Sequence, residues 1–156
     1  MIYLLQSEQQ LNCDMETAWN FFSSPHNLAK ITPDDMNFII VNEVPDVPIY
    51  EGMIIDYKIS PLFGITMKWR TKIKKVRHHL SFTDHQLKGP YKQWSHFHEF
   101  IPNEHGILMK DIVRYEMPFG FFGRLVHRLI IHKKLEHIFN YRYQVLEKIF
   151  NSEKQS

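Results

Sequence analysis

Apolar and polar residues alternate along most of this chain, and near its end the alternation gives way to a helical period. Residues 2–11 (IYLLQSEQQL) predict a first strand. Ala18, Trp19, Phe21 and Phe22 within Met15–Phe22 predict a short helix. Asn12 to Asp14 supply its start, where Asp14 and Glu16 favour the positive helix end. Ser24-Pro25 opens a second short helix that runs through Ile31 and stops at Pro33. The spacing then becomes that of strands: Met36–Val41, Met53–Ile59, Thr66–Val76, Leu80–Leu87, Gln93–Ile101 and Ile107–Glu116. Pro45 and Pro48 mark a loop, and Ser60–Gly64, Gly89-Pro90 and Asn103–Gly106 mark turns. The clearest alternation puts Met67, Trp69, Thr71 and Ile73 on one side and Lys68, Arg70, Lys72 and Lys74 on the other. That is a half-buried antiparallel strand whose basic row is a solvated sheet face.

From Gly120 to Phe150 the period predicts one amphipathic helix, roughly 40 Å long at about 1.5 Å per residue. Ile131, Leu135, Ile138, Phe139, Val145, Leu146, Ile149 and Phe150 share its apolar face. Arg142 falls in the middle of that face. A buried guanidinium is costly unless something pairs with it or water reaches it. The helix therefore needs a large apolar partner that leaves a space with a polar lining. The economical fold is α+β, in the order β-α-α-β6-α. A curved antiparallel seven-stranded sheet wraps around the long C-terminal helix, and the two short helices plug one end. Residues 1–150 form the single domain, and the polar tail 151–156 is expected to fray.

Composition narrows the function. Hydrophobic residues make up 44% of the chain and aromatics 14%, enough for a real core. Nineteen basic against 17 acidic residues give a charge of +2, too balanced to indicate nucleic acid. The ten histidines make the protein more basic on mild acidification. Cys13 is the sole cysteine, which fits a reducing compartment and an inert thiol. No stretch reaches the length of a membrane span, and the apolar Met1–Leu5 is too short for a signal sequence. A cytoplasmic protein, monomeric or a weak homodimer, with no nucleic-acid or integral-membrane partner, is the expectation.

An ordered set of residues then resembles a known superfamily. It runs from Trp19 with Phe21-Phe22 through Leu28 to Pro33, Gly52 and Trp69 to Phe82-Thr83-Asp84. It continues with Gly89-Pro90-Tyr91, Trp94, His96, His98 and Phe100, then Gly106, Met109, Asp111, Val113 and Tyr115-Glu116. Pro118, Gly120, Leu135, Phe139 and Tyr141-Arg142 complete it. Together they resemble the START/Bet v 1-like, or SRPBCC, superfamily of helix-grip proteins, which includes polyketide cyclase-like and lipid-transfer proteins. The set is closest to a bacterial branch of small ligand-binding members. The resemblance implies a hydrophobic cavity between sheet and terminal helix and a small, largely apolar ligand that is lipid-, polyketide- or isoprenoid-like. It implies no cofactor. It does not fix a reaction, because one fold hosts many functions. The glycine-rich loop of the plant allergen branch is absent.

Strand alternation gathers the candidate site. Trp94, His96, His98 and Phe100 share one face, Met109, Asp111, Val113 and Tyr115 another, and Phe82, Asp84 and Gln86 a third. If these faces point inward, Arg142, His96, His98, Asp84 and Asp111 orient a polar group. Trp69, Trp94, Phe100, Met109, Val113 and Tyr115 then enclose the apolar part. His96, His98 and Asp111 are also the candidates for acid–base chemistry of a cyclase or dehydratase. A self-satisfied polar network is the competing reading, as is an interaction module without a ligand. His96-x-His98 with Asp84 or Asp111 also has a metal-ligand pattern, but two histidines among ten are too weak a signal to assign a metal. The opposite register, with Phe97 and Ile101 inward, would turn both histidines to solvent. Arg124, His127, Arg128, His132, Lys133 and Lys134 form a basic, solvated helix start, with docking on an anionic surface or a ligand headgroup as the alternative. Phe119, Phe121 and Phe122 between Gly120 and Gly123 suit either a gate or ordinary packing at the strand–helix junction.

Overall fold

The computed structural model describes residues 1–152. Its strands are β1 (Ile2–Leu11), β2 (Ile39–Ile40), β3 (Ile54–Leu62), β4 (Ile65–Arg77), β5 (Ser81–Lys88), β6 (Gln93–Asn103) and β7 (Gly106–Glu116). They form one antiparallel sheet in the order β1-β7-β6-β5-β4-β3-β2. β2 to β7 are a meander of neighbours, and β7 returns beside β1, from Ile2 opposite Glu116 to Leu11 opposite Ile107. With the long C-terminal helix packed on its concave face, this is the α+β helix-grip arrangement that the sequence predicts.

Two strands differ most in extent, β2 and β3. The strand predicted over Met36–Val41 shrinks to Ile39–Ile40, because Asp34–Met36 form a 3-10 turn that ends on left-handed Asn37, φ 48°. Beyond it the Asn42 side chain takes over the ladder, bonding Asp56 N and Ile54 O. β3 instead runs on to Leu62 through an irregularity between Ile59 and Leu62. The turn contracts to Phe63-Gly64, both with positive φ, which matches the twist of a two-residue hairpin.

The terminal helix is α2 (Gly120–Val126), a π-turn (His127–Ile131), α3 (His132–Leu146) and a second π-turn (Glu147–Asn151). Each π-turn inserts a residue and rotates what lies beyond it by about 100°. Two expectations change. His127, placed by the sequence in the solvated basic cluster, is buried, with Nε2 2.8 Å from the Tyr115 hydroxyl and its ring stacked on Tyr3. Ile149, placed on the apolar face, is exposed. The rest of that face behaves as predicted: Ile131, Leu135, Arg142 and Leu146 are buried.

The α1 helix (Met15–Phe22), capped by Asp14 on Thr17 N, covers one end of the sheet. Its Trp19 packs edge-on against Phe82 and Phe100. The 3-10 segment Pro25–Ile31 extends this cover toward α3. The far end of the helix is clamped to β1, since Asn151 accepts from Asn12 N and donates to Gln10 O. Asn151 thus closes the helix, while residues 153–156 of the tail expected to fray lie outside the described residues. Among the described residues no helix is long and apolar enough to cross a membrane.

Candidate functional site

β5, β6 and β7 are neighbours, so their inward faces meet under the terminal helix. The two-residue period turns both His96 and His98 inward, and both are buried. Register places Asp84 opposite His96 and Asp111 opposite His98. Each histidine then bonds the diagonal carboxylate. His96 Nε2 lies 2.7 Å from Asp111 Oδ1, and His98 Nε2 lies 3.0 Å from Asp84 Oδ2. The imidazoles lie against each other with centroids 3.8 Å apart. Arg142 descends from α3 and donates from Nη2 to Asp111 Oδ1 at 3.1 Å. Its guanidinium also sits over the Phe22 ring. Asp111 is 1% exposed and Arg142 6%. His98 Nδ1 lies 3.0 Å from Asp111 Oδ1 but is poorly aimed, so this contact is electrostatic rather than a hydrogen bond.

Burial and neighbouring charge pull against each other here. For Asp111, burial pushes the pKa up, but Arg142, the bond from His96 and the nearby His98 imidazole hold it well below the usual carboxylate range. For Asp84, burial is likewise outweighed by His98, and its pKa is lowered. His96 is pushed down to about 4 by burial and then by the His98 charge, so it is neutral. His98 goes the other way: burial lowers it, but Asp84 and Asp111 together raise it above its ordinary value. With His98 protonated, Asp84 and Asp111 balance His98 and Arg142, and the cluster carries no net charge.

Asp84, His96, His98 and Arg142 form the polar corner of a cavity of about 170 Å³. Trp69 and Trp94 line it as the sequence predicts, but most of its apolar wall is different. Ile55, Tyr57 and Ile59 of β3, Thr71 and Ile73 of β4, Tyr91, and Leu28 and Ile31 of the 3-10 segment supply it. Phe100, Met109, Val113 and Tyr115, expected to enclose the ligand, do not line the cavity, and neither does Asp111. The helix fills the space over β6 and β7. Leu146 shares a core cluster with Phe100 and Met109, and Ile131 and Leu135 pack on Val113 and Tyr115. The open volume is left over β3 to β5. Asp111 instead sits behind the wall and holds Arg142 and His96 in place. The alternation of Ile55, Tyr57 and Ile59 was the sequence signal for the missed wall. Phe119, Phe121 and Phe122 neither gate the cavity nor pack at the junction; all three are exposed.

Asp84, His96 and His98 offer ligand atoms within 4.8 Å of one another. That spacing suits a two-histidine, one-carboxylate ion site. The donors, however, are already committed. Asp84 is taken by His98, and Arg142 supplies a fixed cation beside the set. The residues present therefore fit a self-neutralised network better than an ion.

No family model matches the sequence, and no curated protein matches it. Solved structures do. The chain is similar to the Thermus thermophilus protein TTHA0849, with a TM-score of 0.70, 14% identity and coverage of 94% of this chain and 95% of that one. It is similar to ginseng (Panax ginseng) major latex-like protein 151, with a TM-score of 0.68, 13% identity and coverage of 96% and 98%. It also matches the di-domain ARO/CYC protein StfQ of the steffimycin biosynthetic pathway, with a TM-score of 0.62, 10% identity and coverage of 96% of this chain and 52% of that one. These likenesses show the fold: the chain has the helix-grip arrangement.

The two histidines should titrate apart. In the unfolded chain both take up protons near pH 6.5. The depressed pKa of His96 means that its contribution to stability is present above about pH 6.5 and falls away toward pH 4. The raised pKa of His98 gives a contribution that is full below about pH 6.5 and is lost as pH rises through its folded value. Imidazole ¹⁵N shifts followed by NMR are expected to show His96 neutral at pH 6 and His98 titrating above 6.5. A single shared transition near 6.5 would contradict this geometry.

Proposed function

We propose that the protein binds a compact, mostly apolar molecule carrying one anionic or hydrogen-bond-accepting group. The observation that carries this reading is a cavity walled mostly by apolar and aromatic side chains, with Asp84, His96, His98 and Arg142 gathered in one corner and Lys134 also in its lining. Arg142, His96 and His98 offer the donors there, and the indole of Trp69, whose Nε1 has no partner, stands in the same wall. Volume narrows the ligand class. A dry cavity of about 150 Å³ takes a benzene-sized guest, whereas drug-sized ligands occupy about 300–1,000 Å³. At about 170 Å³, a single ring or a short branched chain fits. A small isoprenoid or a polyketide-derived ring suits this space, and a long acyl chain requires the helix to move.

A second reading rests on the histidine pair. His96, pushed toward its neutral form, and His98, pushed toward its charged form, stand side by side at the cavity wall, and environments that push two pKa values apart are how one site supplies both base and acid. In that case the molecule bound is a substrate for cyclisation or dehydration, a chemistry also suggested by the name of the StfQ protein.

Native mass spectrometry of gently purified protein is expected to show a small adduct that denaturation releases. The Arg142→Met variant should lose it, while Lys68→Ala, on the exposed face of β4 and outside the cavity lining, should retain it. Equal retention by Arg142→Met, with the fold confirmed by circular dichroism, would refute the headgroup assignment. Under the second reading, His96→Gln keeps the adduct but abolishes turnover of the released molecule; unchanged turnover removes His96 from any mechanism.

A further inference from the structure

A run of exposed apolar residues lies at the start of the terminal helix, outside the cavity. Phe121 is 67% exposed and Phe122 72%, and Phe119, Leu125, Val126 and Leu129 are exposed with them. Isolated exposed apolar residues need no explanation, but a contiguous run of this kind marks an interaction surface. Its projection is built into the backbone. Gly123 is buried against Pro118, where any Cβ would collide with the Pro118 carbonyl oxygen. Phe119 takes a left-handed conformation, φ 65°, which is unfavourable for a bulky side chain. The chain is thereby bent so that the phenyl rings stand outward. The β3–β4 hairpin adds to the same end. Leu62 packs on the cluster of Ile131 and Leu135, which carries the exposed Phe63 alongside.

Charge decides what this surface faces. Between Met117 and Leu135 there is no Asp or Glu, while Arg124, Arg128, Lys133 and Lys134 are all present. The bordering acids are already engaged: Glu116 by Lys92 and the amino terminus, Asp35 by Lys134 and His137. Arg124, Arg128 and Lys133 have no carboxylate partner among the described residues. A second copy of this chain is a poor occupant. A two-fold interface presents the same patch to itself, setting these cations against their own counterparts. An anionic lipid surface satisfies both features, because phenyl and leucyl side chains enter the acyl boundary while arginine and lysine meet the headgroups.

We infer that the Phe119–Leu129 face of the terminal helix docks on an anionic lipid bilayer. The docking is peripheral and independent of what fills the cavity. It places the first π-turn next to the lipid, and that turn ends on Ile131, which with Lys134 and Leu135 lines the cavity.

The test is co-sedimentation of the full chain with phosphatidylcholine vesicles, with and without phosphatidylglycerol. Binding is expected only to the phosphatidylglycerol vesicles and should weaken as salt is raised. Phe121→Ser/Phe122→Ser and Arg124→Glu/Arg128→Glu should each weaken it by at least about tenfold, since each basic residue near such a surface contributes about fivefold. All four side chains are exposed, so thermal unfolding should not change. Failure of the native chain to sediment with phosphatidylglycerol vesicles overturns the inference, as does equal sedimentation of both variants. So does sedimentation velocity showing a dimer that Phe121→Ser/Phe122→Ser dissociates.

Discussion

One carboxylate oxygen organises the interior of this protein. Asp111 Oδ1 receives the guanidinium of Arg142 from the helix and the imidazole of His96 from the neighbouring strand. An ionised carboxylate that is 1% exposed is costly unless it is paired and hydrogen-bonded. Arg142 in turn would be costly on the apolar face of a helix without that carboxylate. Each charge is therefore tolerable only because of the other, and the pair fixes the helix over β7 and β6. Apolar packing could hold a helix there in many registers; a charge pair with hydrogen bonds selects one.

The cavity follows from that placement. The helix lies close over β6 and β7, where Leu146, Leu135 and Ile131 fill the space. It stands clear of β3 to β5, and the remaining volume is walled by Trp69, Tyr57, Ile55 and Ile73. The charged corner is where the filled and open halves meet. Asp111 stays behind the wall, while Asp84, His96, His98 and Arg142 face the space. The ligand-binding group and the group that neutralises it are different residues. Arg142 is thus positioned before any ligand arrives, which lowers the ordering cost of binding.

Much of this was legible in the sequence, for reasons that differ by residue. A period of two fixes which strand residues share a face, so the grouping of His96 with His98 and of Met67, Trp69, Thr71 and Ile73 needed no coordinates. Arg142 was visible because it breaks the apolar face of an otherwise regular helix. What could not be read was where that helix crosses the sheet. Phe100, Met109, Val113 and Tyr115 are as apolar as cavity residues, and only the position of the helix makes them core. The π-turns were equally hidden. An inserted residue leaves no compositional mark, yet the second π-turn takes Ile149 off the buried face. Phe119, Phe121 and Phe122 suited a gate or ordinary packing equally by residue type; the close approach of Gly123 to Pro118, which only glycine permits, bends the chain and turns them outward.

The central claim is that Asp111 and Arg142 depend on each other. A double-mutant cycle with Asp111→Asn, Arg142→Met and the double variant, read by urea unfolding, tests it directly. Each single variant is expected to lose about 3–5 kcal/mol, because it strands a buried charge. The double variant should lose less than the sum of the two single losses, by a coupling of about 2–3 kcal/mol. Additive losses, with coupling below about 0.5 kcal/mol, would show that the two groups act independently and that the helix is held by apolar packing alone.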